Sequence, residues 1–217
     1  MLINVPFSRK FVFKYAFDKI IALFGLILIS PILVLIIFSI WIEGLILPRG
    51  NGPSIIQEIR ISQNRAFPLW KFRTFYCEDD ILHQDKRGTS DFINDRAVTK
   101  VGYILRKYYL DEFPQLLNIL LGHMSFVGPR PTPQLMYIRT CRAGYKNKRL
   151  LRAGLCGPVQ SLKGKWRQIG SYLDADEALV DEYASRSTVA ILALDLSIMW
   201  LTFLKILEGD GLENPNR

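Results

Sequence analysis

Cysteine and histidine are scarce in this sequence. The three cysteines, Cys77, Cys141 and Cys156, are odd in number and far apart. They form neither a disulfide framework nor a CxxC metal pair, and they point to a reducing compartment. The two histidines, His83 and His123, have no Cys or His at metal-ligand spacing, which argues against zinc. There is no glycine-rich Walker loop, no GxSxG nucleophile motif and no internal repeat. Lack of apolar residues is not a feature: they make up 49% of 217 residues, beside 28 Lys and Arg against 20 Asp and Glu, a net charge of +8. A chain both basic and greasy is not disordered, and it suits a membrane surface or a phosphate-rich ligand. The length fits one catalytic domain with a membrane element, or at most two small domains.

From Ile20 to Ile42 there are 23 residues without a charge, interrupted only by Gly25, Ser30, Pro31 and Ser39 among large apolar residues. A signal peptide has a shorter apolar core and a small-residue cleavage site, so this segment is expected to be retained. As a helix it is about 34 Å long, enough to cross a hydrocarbon core of roughly 30 Å. Pro31 stands at its midpoint, where it removes a backbone donor and crowds the carbonyl of Ile27. Ser30 offers a hydroxyl to that carbonyl, and each half of the helix is about one leaflet deep. Residues 1–47 carry Arg9, Lys10, Lys14 and Lys19 against Asp18 and Glu43, so basic charge flanks the run on both sides. A re-entrant helix that enters and leaves on one face satisfies both flanks; a bent spanning helix is the alternative these residues leave open.

The remainder, 48–217, reads as one membrane-associated domain. LPRGNGP at 47–53 marks the exit from the apolar segment. SIIQEIRI and FPLWKFRTF then predict two strands around the polar turn Ser62 to Arg65, a small β-hairpin. Residues 77–100 mix charges without period and read as a solvated loop. From Val101 the pattern turns helical, with Leu110, Phe113, Leu117, Leu120 and Leu121 as an apolar face ending at Gly122. MSFVGPRPTPQ predicts a fixed non-helical loop presenting Arg130. A basic stretch follows at 139–152, where the single interleaved Tyr145 is thin support for nucleic-acid binding, so no nucleic acid is expected. Val189 to Leu207 is almost wholly apolar, and with Asp195 and Lys205 inside it reads as a buried or interfacial amphipathic helix rather than a second span. The fold expected is therefore α+β and mostly helical.

Leu110-Asp111-Glu112-Phe113-Pro114 carries the strongest chemical suggestion. Proline belongs in a first helical turn, so Pro114 predicts a helix starting near Asp111, with two carboxylates at its positive end. A structural cap worth roughly 1 kcal/mol is the bland explanation. Lys71, Arg73, Arg106 and Arg130 change the balance, because a carboxylate held among cations and a divalent metal can approach a phosphate and attack it as a nucleophile.

These residues carry a resemblance. DRAVTKVGYILRKYYLDEFPQLLNILLGHMSFVGPRP, from Asp95 to Pro131, resembles the signature of the bacterial sugar transferases called monotopic phosphoglycosyl transferases. WKFRTF at 70–75 resembles their KFRT motif, Ser30-Pro31 the break in their re-entrant membrane helix, and ALDLSIMW at 193–200 their C-terminal motif. The resemblance implies transfer of a phosphosugar from a UDP-sugar to undecaprenyl (polyprenyl) phosphate with release of UMP, at the cytoplasmic face of a bacterial inner membrane, as a first step of surface-glycan synthesis. It implies Asp111 as nucleophile and ligand of Mg2+, and Glu112 as its positioning partner or as a group assisting the acceptor. Lys71, Arg73, Arg106 and Arg130 are implied as phosphate ligands, and Asp195 as an acid near the site or a buried helix-pairing group. The segment RAGLCGPVQ departs from the family pattern at Ala153, Gly154 and Pro158, and ISQNRAF lacks the glycines often found there. Those departures bear on substrate choice. The rival expectation is a non-catalytic membrane-surface module binding anionic lipid or a glycan-assembly partner, and a further one is a polyprenyl phosphate phosphatase. Pairing into a homo-oligomer is left open.

Overall fold

The computed structural model describes residues 9–47, 51–76, 98–162 and 171–207. The charged loop expected at 77–100 lies outside them up to residue 97.

One helix, α1 (Arg9–Ile46), dominates the N-terminal part. It runs uninterrupted through Pro31, so the Ser30-Pro31 pair does not divide it into two helices. Proline removes the donor that the Ile27 carbonyl would receive, and the Ser30 hydroxyl donates to that carbonyl at 2.8 Å instead. Both ends of α1 are fastened to the same globular body. Near its start, Lys14 Nζ donates to Ser125 Oγ at 2.7 Å. Near its end, the Glu43 carboxylate accepts the backbone N–H of Lys100 at 2.7 Å and of Val101 at 3.2 Å. Between these fastenings one stripe of the helix, with Ala22, Ile36 and Ile40, is buried, and the opposite stripe leaves Phe24, Leu28, Val34 and Trp41 exposed.

The hairpin is present as predicted: β1 (Ile55–Ser62) pairs antiparallel with β2 (Arg65–Phe72). Gln63 and Asn64 both have positive φ, at 47° and 65°, the backbone of a two-residue turn whose twist matches the strands. Phe67 and Leu69 enter the main core with Leu116, Ile119, Met124 and Ile191. The companion strand turns Glu58, Arg60 and Ser62 to the same buried side, so this face of the hairpin is charged where it would ordinarily be apolar.

α2 (Lys100–Lys107) is capped by Thr99, whose Oγ1 accepts the Gly102 N–H at 2.9 Å. A Cβ on Gly102 would stand 2.2 Å from the Thr74 carbonyl oxygen, so only glycine lets α2 lie this close to the end of the hairpin. Tyr109, with φ at 54°, then turns the chain back on itself. Leu110–Glu112 form a single 3-10 turn, and α3 (Gln115–Leu121) begins after Pro114. The helix expected to start at Asp111 thus starts four residues later, because the left-handed Tyr109 resets the backbone into a 3-10 turn and Pro114, itself helical in backbone, has no N–H to continue the ladder. That reset also rotates the apolar face: Leu116 and Ile119 are buried, whereas Leu121, predicted to face the core, is 55% exposed.

Gly122 closes α3 with φ at 84°, and β3 (Met124–Val127) follows, a strand within what the sequence presents as loop. β3 pairs in parallel with β4 (Ala153–Cys156), and α4 (Gln134–Arg142) and α5 (Asn147–Leu150) lie between them in sequence. After α6 (Pro158–Leu162) come α7 (Tyr172–Ser185) and α8 (Thr188–Leu207). α8 buries Ile191, Asp195, Ile198 and Thr202 and exposes Trp200, Phe203 and Leu207, the one-sided burial expected of Val189–Leu207. By length and composition α1 and α8 could each cross a membrane. The described residues are mostly helical with two small sheets, in agreement with the α+β expectation.

Candidate active site

Lys71 is brought to the Asp-Glu turn by a side chain on α3. The buried Asn118 accepts the Trp70 N–H through Oδ1 at 3.1 Å and donates Nδ2 to the Pro68 carbonyl at 2.7 Å, imitating a neighbouring strand along β2. Proline offers no donor of its own, so an amide beside it is well matched to this edge. The hairpin is thereby held against the first turn of α3, and Lys71 faces the turn that carries Asp111 and Glu112.

An open cleft of about 500 Å³ lies there, lined by Lys71, Arg106, Asp111, Glu112 and Arg130, with Phe72, Phe75 and Tyr109 as apolar wall. Arg106 comes from α2, its guanidinium 5.3 Å from the centre of the Phe75 ring. Arg130 comes from the proline-rich loop after β3, and its Nη2 is 3.7 Å from Glu112 Oε1. The backbone of that loop is gripped by a buried pair: Lys148 Nζ donates to the Arg130 carbonyl at 2.9 Å and lies 3.8 Å from Asp176 Oδ2. Burial pushes the Asp176 carboxyl up to about 6, against the opposing pull of Lys148. One member of the basic stretch at 139–152 is therefore spent internally on holding Arg130.

Burial first, and then the adjacent charge of Glu112, push the Asp111 carboxyl up to about 7, with Lys71 and Arg106 pulling the other way. Infrared titration of the metal-free protein should find Asp111 neutral below about pH 7 and ionised above it. Asp111→Asn should abolish that inflection, and Glu112→Gln should move it to lower pH by removing the like charge. An Asp111 that titrates in the ordinary carboxylate range would contradict this electrostatic account.

Five of the site residues expected from sequence thus share one cleft. Arg73 stands elsewhere: it is buried, with Nε donating to the Pro53 carbonyl and Nη1 to the Phe75 carbonyl, both at 2.9 Å, so it ties together the chain around the hairpin's open end. Asp195 lines neither the cleft nor the pocket beside it: it is buried, 2.9 Å from Lys14 and hydrogen-bonded by the Tyr183 hydroxyl. Lys14 is also 3.2 Å from Asp18, and the Ser125 hydroxyl donates to Asp18 at 2.6 Å. Asp195 thus links α8 to Lys14 of α1 and to Tyr183 of α7. Sequence reasoning did not single out Arg60 and Gln115, which line an adjoining pocket with Lys71, Glu112 and Arg130, or Glu58, which pairs with Arg60. Inward-facing charges on a strand whose period otherwise suits a core face were the available signal.

Among the described residues no three Asp, Glu, His or Cys side chains assemble a metal site. The cleft offers the two adjacent carboxylates of Asp111 and Glu112. Such a set suits a hard divalent cation that takes its other ligands from phosphate oxygens and water, and it does not suit zinc.

The family model described as bacterial sugar transferase matches residues 9–209. The chain is 33% identical over 197 residues to the UDP-glucose:undecaprenyl-phosphate glucose-1-phosphate transferase of Klebsiella pneumoniae, covering 89% of this chain and 40% of that protein. It is 30% identical over 207 residues to the UDP-N-acetylgalactosamine-undecaprenyl-phosphate N-acetylgalactosaminephosphotransferase of Aeromonas hydrophila, covering 91% and 44%. With the exopolysaccharide production protein ExoY of Sinorhizobium fredii it shares 38% identity over 130 residues, covering 54% and 55%. The chain therefore spans only about half, or less, of the length of these relatives.

Proposed function

The chain belongs to the bacterial sugar transferase family, and from that premise we propose that it moves a phosphosugar from a UDP-sugar to undecaprenyl phosphate and releases UMP. The observation that carries this reading is the cleft itself, a partly buried carboxyl pair surrounded by Lys71, Arg106 and Arg130. The two relatives named for undecaprenyl phosphate are sugar-phosphate transferases, which supports the same reaction class.

Asp111 is the nucleophile. Its ionised carboxylate attacks the sugar-linked phosphorus, and the bond to the nucleotide phosphate breaks, so that UMP departs with the electron pair. The acceptor phosphate then attacks the same phosphorus and the Asp111 carboxylate leaves. Lys71, Arg106 and Arg130 hold the diphosphate oxygens and offset charge building on them. Glu112, paired with Arg130, orients that arginine and sets the electrostatics of its neighbour. Asp111 and Glu112 would hold Mg2+ together with substrate oxygens, and the bound ion would supply further charge neutralisation. The engaged Arg73 serves the hairpin's position in this scheme, and Asp195 the packing of α1.

The membrane placement is a re-entrant α1 on the cytoplasmic face of the bacterial inner membrane. A spanning helix would put its ends on opposite sides of about 30 Å of hydrocarbon. Lys14 and Glu43, on either side of the apolar run, instead both contact the one globular body. The exposed apolar stripes of α1 and α8 supply lipid-facing surface, and a polyprenyl phosphate presents its headgroup at that depth.

The test is release of UMP from a panel of UDP-sugars by purified protein with Mg2+ and undecaprenyl phosphate. Acceptor-dependent release with one or two donors is expected, and chelation should remove it. Release of inorganic phosphate from the polyprenyl phosphate without any nucleotide sugar would overturn the reading in favour of a phosphatase. Folded, lipid-bound protein inert toward every donor would favour a binding module.

A further inference from the structure

The Arg130 side chain is 42% exposed, and its Nη2 stands 3.7 Å from Glu112 Oε1, beyond hydrogen-bonding distance. Where the guanidinium reaches therefore depends on where its backbone is held. Upstream, the Gly128 N–H donates to the Cys156 carbonyl and the Pro129 carbonyl accepts the Gly154 N–H, both at 3.0 Å. A Cβ on Gly128 would stand 2.2 Å from the Arg152 carbonyl oxygen, so the loop lies directly against β4. Downstream, the Thr132 carbonyl accepts the Ile61 N–H of β1 at 3.0 Å. Pro129 and Pro131 have no N–H to offer on either side of Arg130. The Arg130 peptide groups go to two side chains instead. Its carbonyl takes Lys148 Nζ at 2.9 Å, and its N–H lies close enough to the Asp176 carboxylate to favour the charged form of that acid.

Lys148 on α5 and Asp176 on α7 are 5% and 2% exposed, and neither lines the cleft. Burying such a pair costs desolvation that its attraction barely returns, and Asp176 Oδ1 has no hydrogen-bond partner among the described residues. Hydrophobic packing would stabilise this place as well, but it would not grip a peptide group. The pair also stands on firm ground. Next to it in sequence, the Glu177 carboxylate accepts the backbone N–H groups of Lys146 and Asn147, both at 2.9 Å, which ties α5 to α7.

We infer that Lys148 and Asp176 are positioning residues for the transfer reaction, acting through Arg130 alone by fixing the peptide from which its guanidinium reaches the bound diphosphate. This rests on the role of Arg130 proposed above. A displacement of about 1 Å at such a group costs on the order of a hundredfold in rate, so a clamp that never meets substrate still controls turnover.

The test is a double-mutant cycle on the full chain in lipid nanodiscs, with whichever UDP-sugar the wild type consumes and turnover read as UMP release. Lys148→Met with Asp176→Leu removes the clamp without stranding a charge, and thermal melting certifies its fold. Its kcat should fall about a hundredfold with a smaller change in the donor KM. Lys148→Arg, which keeps the charge and a donor for the carbonyl, should retain most of the turnover. In an Arg130→Ala background, removing the clamp should cost no more than about twofold further, because residues acting through one group are not additive. Clamp removal that multiplies its full loss onto Arg130→Ala, or a folded clamp-free protein with wild-type turnover, overturns the positioning role and leaves the reaction intact. If the double variant does not melt cooperatively, Asp176→Asn takes its place in the cycle under the same criteria. Wild-type protein that yields no UMP from any donor overturns the reaction and this inference together.

Discussion

On the proposed mechanism, Asp111→Asn is expected to lower UMP release by roughly 10⁴-fold or more while leaving the protein folded and membrane-bound. The magnitude follows from removing a nucleophile rather than one of several binding groups. The substitution is nearly isosteric, and asparagine is as good a helix cap as aspartate, so a purely structural role for Asp111 predicts almost no effect. The fold should not suffer either. A carboxyl whose pKa is raised on folding to about 7 weakens the folded state as pH climbs through that value, because ionisation is then disfavoured in place. Asparagine removes that cost, and at pH 8 the melting temperature should stay level or rise, a trade of stability for activity often found at working sites. Intact-mass analysis after mixing with the donor gives a second readout: the wild type gains one phosphosugar and the variant gains nothing. A variant that still turns over disposes of Asp111 as nucleophile.

Lys14→Ala lowers stability by about 3–5 kcal/mol, the usual cost of stripping one partner from a buried ion cluster. Asp18 and Asp195 would remain at 4% and 3% exposure facing each other without their cation, and the Ser125 hydroxyl would lose the ammonium that donates to it. For a chain of this size the melting temperature should fall by roughly 10 °C or more. Converting the cluster as a whole, with Lys14→Met, Asp18→Asn and Asp195→Asn together, should recover much of the loss, since no charge is then stranded. Differential scanning fluorimetry in detergent compares the three proteins. A single variant as stable as wild type would mean that water reaches the cluster.

The hairpin was legible because its information is local: two alternating runs and a polar turn, Gln63-Asn64, that accepts positive φ. The Asp-Glu pair and its cations were legible as chemistry, yet their backbone was not, since the left-handed Tyr109 has no sequence signal and shifts the helix start to Gln115. Strand β3 hid inside a segment rich in proline, where the four residues Met124–Val127 are too few to show a period. The ion cluster was out of reach altogether. Lys14, Ser125, Tyr183 and Asp195 come from four elements, Lys14 and Ser125 being 111 residues apart, and only the assembled core tells which charges are neighbours. Arg73 illustrates the converse. It sits in a motif two residues from Lys71, but it lies past the end of β2, where the backbone carbonyls of Pro53 and Phe75 take its guanidinium.

The fastening of α1 at both ends has a consequence for biogenesis. The helix is synthesised well before the groups that will hold it, at Lys100, Ser125 and Asp195. During that interval Glu43 has none of its later partners, and Lys14 and Asp18 have only each other, so these charges must stay hydrated. In the re-entrant placement proposed above, charged ends that wait in water on one side keep the apolar middle from threading through the bilayer, and the same charges later become docking points for the rest of the chain.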